Sequence, residues 1–196
     1  MKYILLLALL LCGCGQTLVQ SQSLTLPPEE VEATPLPDRT FLASNPQFTA
    51  LVFKPNADYN GVNPPVTAAS SFSGTIVVDS ESNNLVRFAL NEGARTLSFG
   101  VLAGSDPLVP GQVYSPFFNE LGPGSFLNLE DLTSGRKSWL QNAATGGGLT
   151  IVALSDTQIE IDFNFTNIQP NFRQGTGNAL GLFDVSGHLT ADLTQI

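Results

Sequence analysis

Few side chains in this sequence are equipped for chemistry, and those that are fall into small groups. The only histidine, His188, sits in FDVSGHLTADL with Asp184, Ser186 and Asp192. Even spacing puts all four on one face of an extended strand. Ser, His and Asp are the residue types of nucleophilic hydrolysis, but strand residues two apart are ~7 Å apart and those four apart ~13 Å, beyond hydrogen-bond reach. His188 is therefore expected to face solvent and to catalyse nothing. Paired carboxylates working as general acid and base are a second possibility, the chemistry of a carbohydrate hydrolase. Glu160 and Asp162 share a strand face, whereas Glu130 and Asp131 are neighbours and point to opposite faces. The first pair looks out on open solvent and the second cannot converge, so neither makes the protein an enzyme.

Metal and cofactor chemistry fares no better. In DSESNN, residues Asp79, Glu81 and Asn83 alternate like the first ligands of a calcium loop. Asn84 stands where the turn glycine belongs and the closing carboxylate is missing, so a polar hairpin turn is expected and no metal. Gly146–Gly148 has no Lys-Ser or Lys-Thr after it and does not open a helix, which excludes a phosphate loop. No cofactor is expected. Aromatic rings remain as candidate binding residues: Tyr59 in NADYNGVNPP, Phe117 and Phe118 in YSPFFNELGPG, and Trp139 in KSWLQN. Alternation places Trp139 with Lys137 and Gln141 on the polar face of its strand. Exposed rings stack on sugars or anchor a protein partner; the alternative is that they plug the ends of the core.

The chain's two cysteines follow an apolar run, Ile4 to Leu11, which Lys2 precedes. A positive start and an apolar stretch too short to span ~30 Å of hydrocarbon read as an export signal. The segment Leu11-Cys12-Gly13-Cys14 then resembles the lipobox of bacterial lipoproteins, with Cys12 where Ala or Ser is commoner. The resemblance implies that residues 1–13 are a signal peptide removed on processing and that Cys14 carries the lipid. Lipid on Cys12 would put the bulky Leu11 before the cut. A metal site or disulfide is the competing reading of the two cysteines, but the rest of the chain adds only His188 as a ligand. A plain secretory peptide cut elsewhere is the other alternative. Gly15 is not the Asp that marks inner-membrane retention in many Gram-negative bacteria, so the expected location is the outer membrane. Removing Lys2 changes the formal charge from −9 to −9 − 1 = −10.

Residues 14–45 read as a lipidated cysteine and a tether. Pro27, Pro28, Pro35 and Pro37 block pairing, and Glu29, Glu30 and Glu32 keep the segment hydrated. Residues 46–196 show short apolar alternations between turn residues, the pattern of an all-β domain: an antiparallel β-sandwich, with a closed β-barrel as the alternative. In QIEIDFNF, Ile159, Ile161, Phe163 and Phe165 fall on one face and Glu160, Asp162 and Asn164 on the other. GLTIVALS joins it through Ser155, Asp156 and Thr157 as a hairpin. The pieces GGGLTIVALSDTQIEIDFNF and DVSGHLTADL resemble the closing strands of uncharacterised bacterial lipoprotein β-sandwiches, a likeness over a minor part of the chain that implies no activity.

Hydrophobic residues make up 42% and charged ones 13%, enough to fill a core without ion-pair networks. A pI near 4.3 excludes the phosphate contacts on which nucleic-acid binding depends. The expectation is a membrane-anchored envelope lipoprotein presenting a non-catalytic module for binding, adhesion or structure, with envelope protein or carbohydrate as partner. The alternatives are a carbohydrate hydrolase and a barrel carrying a small apolar ligand.

Overall fold

The alternation of QIEIDFNF recurs along the chain and produces ten strands: β1 (Arg39–Pro55), β2 (Ser71–Val78), β3 (Asn84–Glu92), β4 (Arg95–Gly104), β5 (Val113–Tyr114), β6 (Gly124–Asp131), β7 (Lys137–Leu140), β8 (Gly146–Leu154), β9 (Gln158–Pro170) and β10 (Phe183–Gln195). The computed structural model describes residues 39–67, 70–78, 84–117, 123–171 and 179–196. The expected signal peptide, Cys14 and the expected tether up to residue 38, together with the oxygen-rich segment at 79–83 and Phe118, lie outside the described residues.

The sheet runs β10-β1-β2-β3-β4-β6-β7-β9-β8-β5, and an added β9–β10 pairing brings its ends together as an eight-strand barrel with extra strands. The all-β expectation holds, and of its two architectures the chain forms the closed barrel rather than the sandwich. Closure follows from one strand: β10 pairs with β9 along one side and β1 along the other, which leaves it no free edge. Between β6 and β9 the wall is shared. β7 fills it at one end, through Leu129↔Trp139 and Trp139↔Pro170, while β5 and β8 fill it at the other.

The interior is packed with side chains. Phe72, Phe88, Phe99 and Phe163 form a relay of rings with centroids 5.6, 5.6 and 4.8 Å apart. Two glycines make room for them: a Cβ on Gly74 would lie 2.7 Å from its cross-strand partner Phe88, and one on Gly187 would lie 2.7 Å from its partner Phe163. Each buried ring contributes about 1.5–3 kcal/mol relative to an exposed one.

β1 begins at Arg39, so the last residues assigned to the tether, up to Asn45, are barrel wall. Asn45-Pro46 looks like a boundary because proline cannot donate to a ladder. Here the pair is a β-bulge between Ser44↔Asp192 and Gln47↔Thr190, with Asn45 at φ 49°, and the strand continues through it.

Candidate functional site

β1 leaves its neighbour early. It pairs with β2 only over Arg39–Ala43, while its pairing with β10 continues to Pro55. A second bulge follows, between Thr49↔His188 and Val52↔Ser186, with Ala50 in the left-handed region at φ 55°. The extra residue turns Phe48, Leu51 and Phe53 all towards the core. Segment 63–67 crosses the gap left by β2, and between it and β1 lies a cleft of about 530 Å³. Its walls are mainly apolar: Leu51, Val52, Phe53, Pro64, Pro65 and Val66, with the interior residues Leu97 and Val185 as the floor. The size falls in the range of small-molecule sites, about 300–1,000 Å³.

The rim is held by Glu92. Its carboxylate accepts hydrogen bonds from Ser70 Oγ at 2.9 Å and Thr67 N at 3.0 Å, and Arg95 Nη2 lies 3.4 Å away. The Ser70 hydrogen bond leads in holding this carboxyl below its ordinary value, with Thr67 and Arg95 adding to it.

Tyr59 and Trp139 come together beside this cleft, in the packing of the barrel end. Trp139 is 0% exposed and offers no ring at the surface, which corrects its placement on the polar face. Both Ser138 and Trp139 are buried, so β7 does not alternate as its sequence suggests. The indole Nε1–H donates to Gly181 O at 3.1 Å. Tyr59 is half-buried, its ring 5.0 Å from Trp139 and 5.4 Å from Phe53, and its hydroxyl donates to Val62 O at 3.3 Å. Burial, reinforced by the Asp131 carboxylate and eased by Arg95, holds the phenol protonated well above the ordinary tyrosine range. Phe117 is elsewhere, half-buried against Phe126 at 6.5 Å. The aromatic candidates therefore form no common exposed surface among the described residues.

The outer wall carries a second, shallow groove of about 470 Å³ over β8, β9 and β10. Here the strand pairing does what spacing along one strand cannot. Asp162 lies across from His188, and the ring Nδ1–H donates to Asp162 Oδ1 at 2.8 Å, with Glu160 Oε1 3.6 Å from Nε2. The imidazole stands between the two carboxylates that a hydrolase would need on either side of a glycosidic bond. Because each ring nitrogen faces a different carboxylate, one ion could not be reached by all three groups, and no metal-binding group of His, Cys, Asp or Glu occurs among the described residues. Glu130 faces out to Arg136 at 3.2 Å while Asp131 turns inward. An exposed ion pair contributes about 0–1 kcal/mol. His188→Ala is expected to change the free energy of unfolding by less than about 1 kcal/mol, read by urea denaturation. A larger loss would give this cluster a structural weight that its exposure does not support.

Compared with known proteins, the chain matches no family model, no curated protein and no solved structure.

Proposed function

We propose that this is a lipid-anchored envelope protein whose barrel binds a small apolar molecule in the β1 cleft and performs no catalysis. The carrying observation is the cleft itself: about 530 Å³, mainly apolar with Asn63 and Thr67 at the ends of one wall, and floored by Leu97 and Val185 of the interior face. The packed interior favours this lateral site over a central one, since the Phe72–Phe163 relay fills the space a ligand would need. Anchor and cleft are compatible. The chain enters the barrel at Arg39, and β1 then runs the length of the wall before Leu51–Phe53 line the cleft at the other end.

A carbohydrate hydrolase built on Glu160 and Asp162 is less favoured, because His188 holds the space between them.

Val52 is the test position: it lines the cleft and is 38% exposed, so a larger side chain there fills the cleft without entering the core. The uncharged fluorophore N-phenylnaphthylamine is expected to bind the wild type saturably and to lose at least about tenfold in affinity on Val52→Trp. Equal binding by both would remove the cleft as the ligand site.

A further inference from the structure

The groove on the outer wall shares no lining residue with the cleft, and its chemistry is the opposite. Strand register sets its floor. Asn164 is the cross-strand partner of Ser186, and Asp162 that of His188. Side chains directly opposite one another are about 5 Å apart, and those two apart along a strand ~7 Å. Four polar side chains therefore mark the corners of a small rectangle on the outer face, and all four line the groove. None of them is buried. On β8 the same two rows continue as Gly148, opposite Asn164, and Thr150, opposite Asp162.

One of those rows ends in bare backbone. Gly147 and Gly148 have φ of 81° and 147°, and a Cβ on either would strike a carbonyl oxygen, that of Asn164 and that of Tyr114 respectively. No side chain can stand there, so the surface sinks beside Asn164. Val113, 62% exposed and paired with Thr150, supplies an apolar shoulder. The polar groups around this hollow keep unused hydrogen-bonding capacity. His188 Nδ1–H pins Asp162 Oδ1 at 2.8 Å, while Asp162 Oδ2 and the side chains of Thr150, Asn164 and Ser186 have no hydrogen-bond partner among the described residues. The hydroxyls and the amide both donate and accept, whereas the carboxylate only accepts.

That mixture selects a ligand class. A phosphate or a uronate meets the charges of Asp162 and of Glu160, which lies 3.6 Å from His188 Nε2. An ammonium satisfies a carboxylate and leaves Asn164 and Ser186 unused, and an acyl chain covers every polar group without pairing it. A neutral ring edged with hydroxyls donates and accepts all round, and its C–H face suits the shoulder at Val113. We propose that the groove is a second binding site, for a neutral saccharide, whose hydroxyls donate to Asp162 Oδ2 and exchange hydrogen bonds with Asn164 and Ser186. His188 is a positioning residue there, holding the Asp162 carboxylate in place.

The test titrates the full chain with maltotriose, cellotriose and tri-N-acetylchitotriose, and with trigalacturonate and triglucosamine as the anionic and cationic counterparts. Binding is read by saturation-transfer NMR and calorimetry. At least one neutral trisaccharide is expected to bind saturably, and at least about tenfold more tightly than either charged counterpart. Asn164→Ala is expected to weaken that binding about fivefold and Asp162→Asn at least about tenfold, as befits hydrogen bonds to a neutral and to a charged group. Both residues are exposed, so the circular dichroism of each variant should match the wild type, and N-phenylnaphthylamine should bind Asn164→Ala as it binds the wild type. Ser186→Trp, which fills the rectangle from another corner, should abolish saccharide binding. The proposal is overturned if no neutral trisaccharide binds, if a charged counterpart binds as tightly, or if the affinity is indifferent to all three substitutions.

Discussion

Trp139→Ala is expected to lower the free energy of unfolding by about 3–5 kcal/mol, the usual cost of truncating a buried aromatic. Domain stabilities are about 5–15 kcal/mol, so the loss is a large part of the total. The reason is where the indole sits. It is fully buried on the short strand that joins β6 to β9, with Leu129 on one side and Pro170 on the other. Its ring contacts Tyr59 at 5.0 Å and Phe183 at 6.5 Å, and its N–H holds Gly181 O at 3.1 Å. Two further ties connect the same loops: Asn56 Oδ1 accepts from Leu182 N at 3.0 Å, and Asn60 Oδ1 from Leu180 N at 2.9 Å. Truncation therefore leaves a void and frees the part-buried Gly181 carbonyl at the point where several loops close the barrel end. Trp139→Phe keeps much of the packing and loses the hydrogen bond, at about 1 kcal/mol for that bond. Urea denaturation followed by circular dichroism measures both. A loss below about 1 kcal/mol for Trp139→Ala would mean that the indole is not a core residue.

Cys14→Ala is expected to move the protein from the membrane fraction to the soluble one, and Cys12→Ala to leave it in place. A buried methylene contributes about 0.8 kcal/mol, so one acyl chain holds weakly and several hold essentially permanently. Removing the acceptor thiol removes all of them at once, which makes the effect close to all-or-none. Fractionation of cells expressing each variant reads the outcome. Retention of the Cys14 variant in the membrane fraction would contradict the anchor.

Most of the wall was legible because its physics is local. In β9, Ile159, Ile161, Phe163 and Phe165 are buried as their period of two requires, while Asp162 and Asn164 are exposed. Closure was not legible, since a sandwich and a barrel use the same alternation and differ only in whether β10 finds β9. β5 was missed for a related reason: two residues, Val113 and Tyr114, are too few to show a period. The cleft was hidden by bulges. In FTALVFK both faces read as apolar, and only the left-handed Ala50 decides that Phe48, Leu51 and Phe53 share the inner side. Alanine carries no signature for that conformation, whereas a glycine there would have signalled a bulge. The contact of His188 with Asp162 and Glu160 was invisible along one strand, because it depends on the register of β9 against β10. Asp131 was legible only as the neighbour of Glu130, because its place opposite Arg95 depends on the pairing of β4 with β6.

Native mass spectrometry of the protein recovered from its own cell, wild type beside Val52→Trp, tests the ligand cleft most directly. The wild type is expected to carry one small neutral molecule that the variant lacks, both chains otherwise carrying the same lipid modification and differing in mass only by the substitution. Wild type and variant free of any such adduct, or carrying it equally, would contradict the cleft as a binding site.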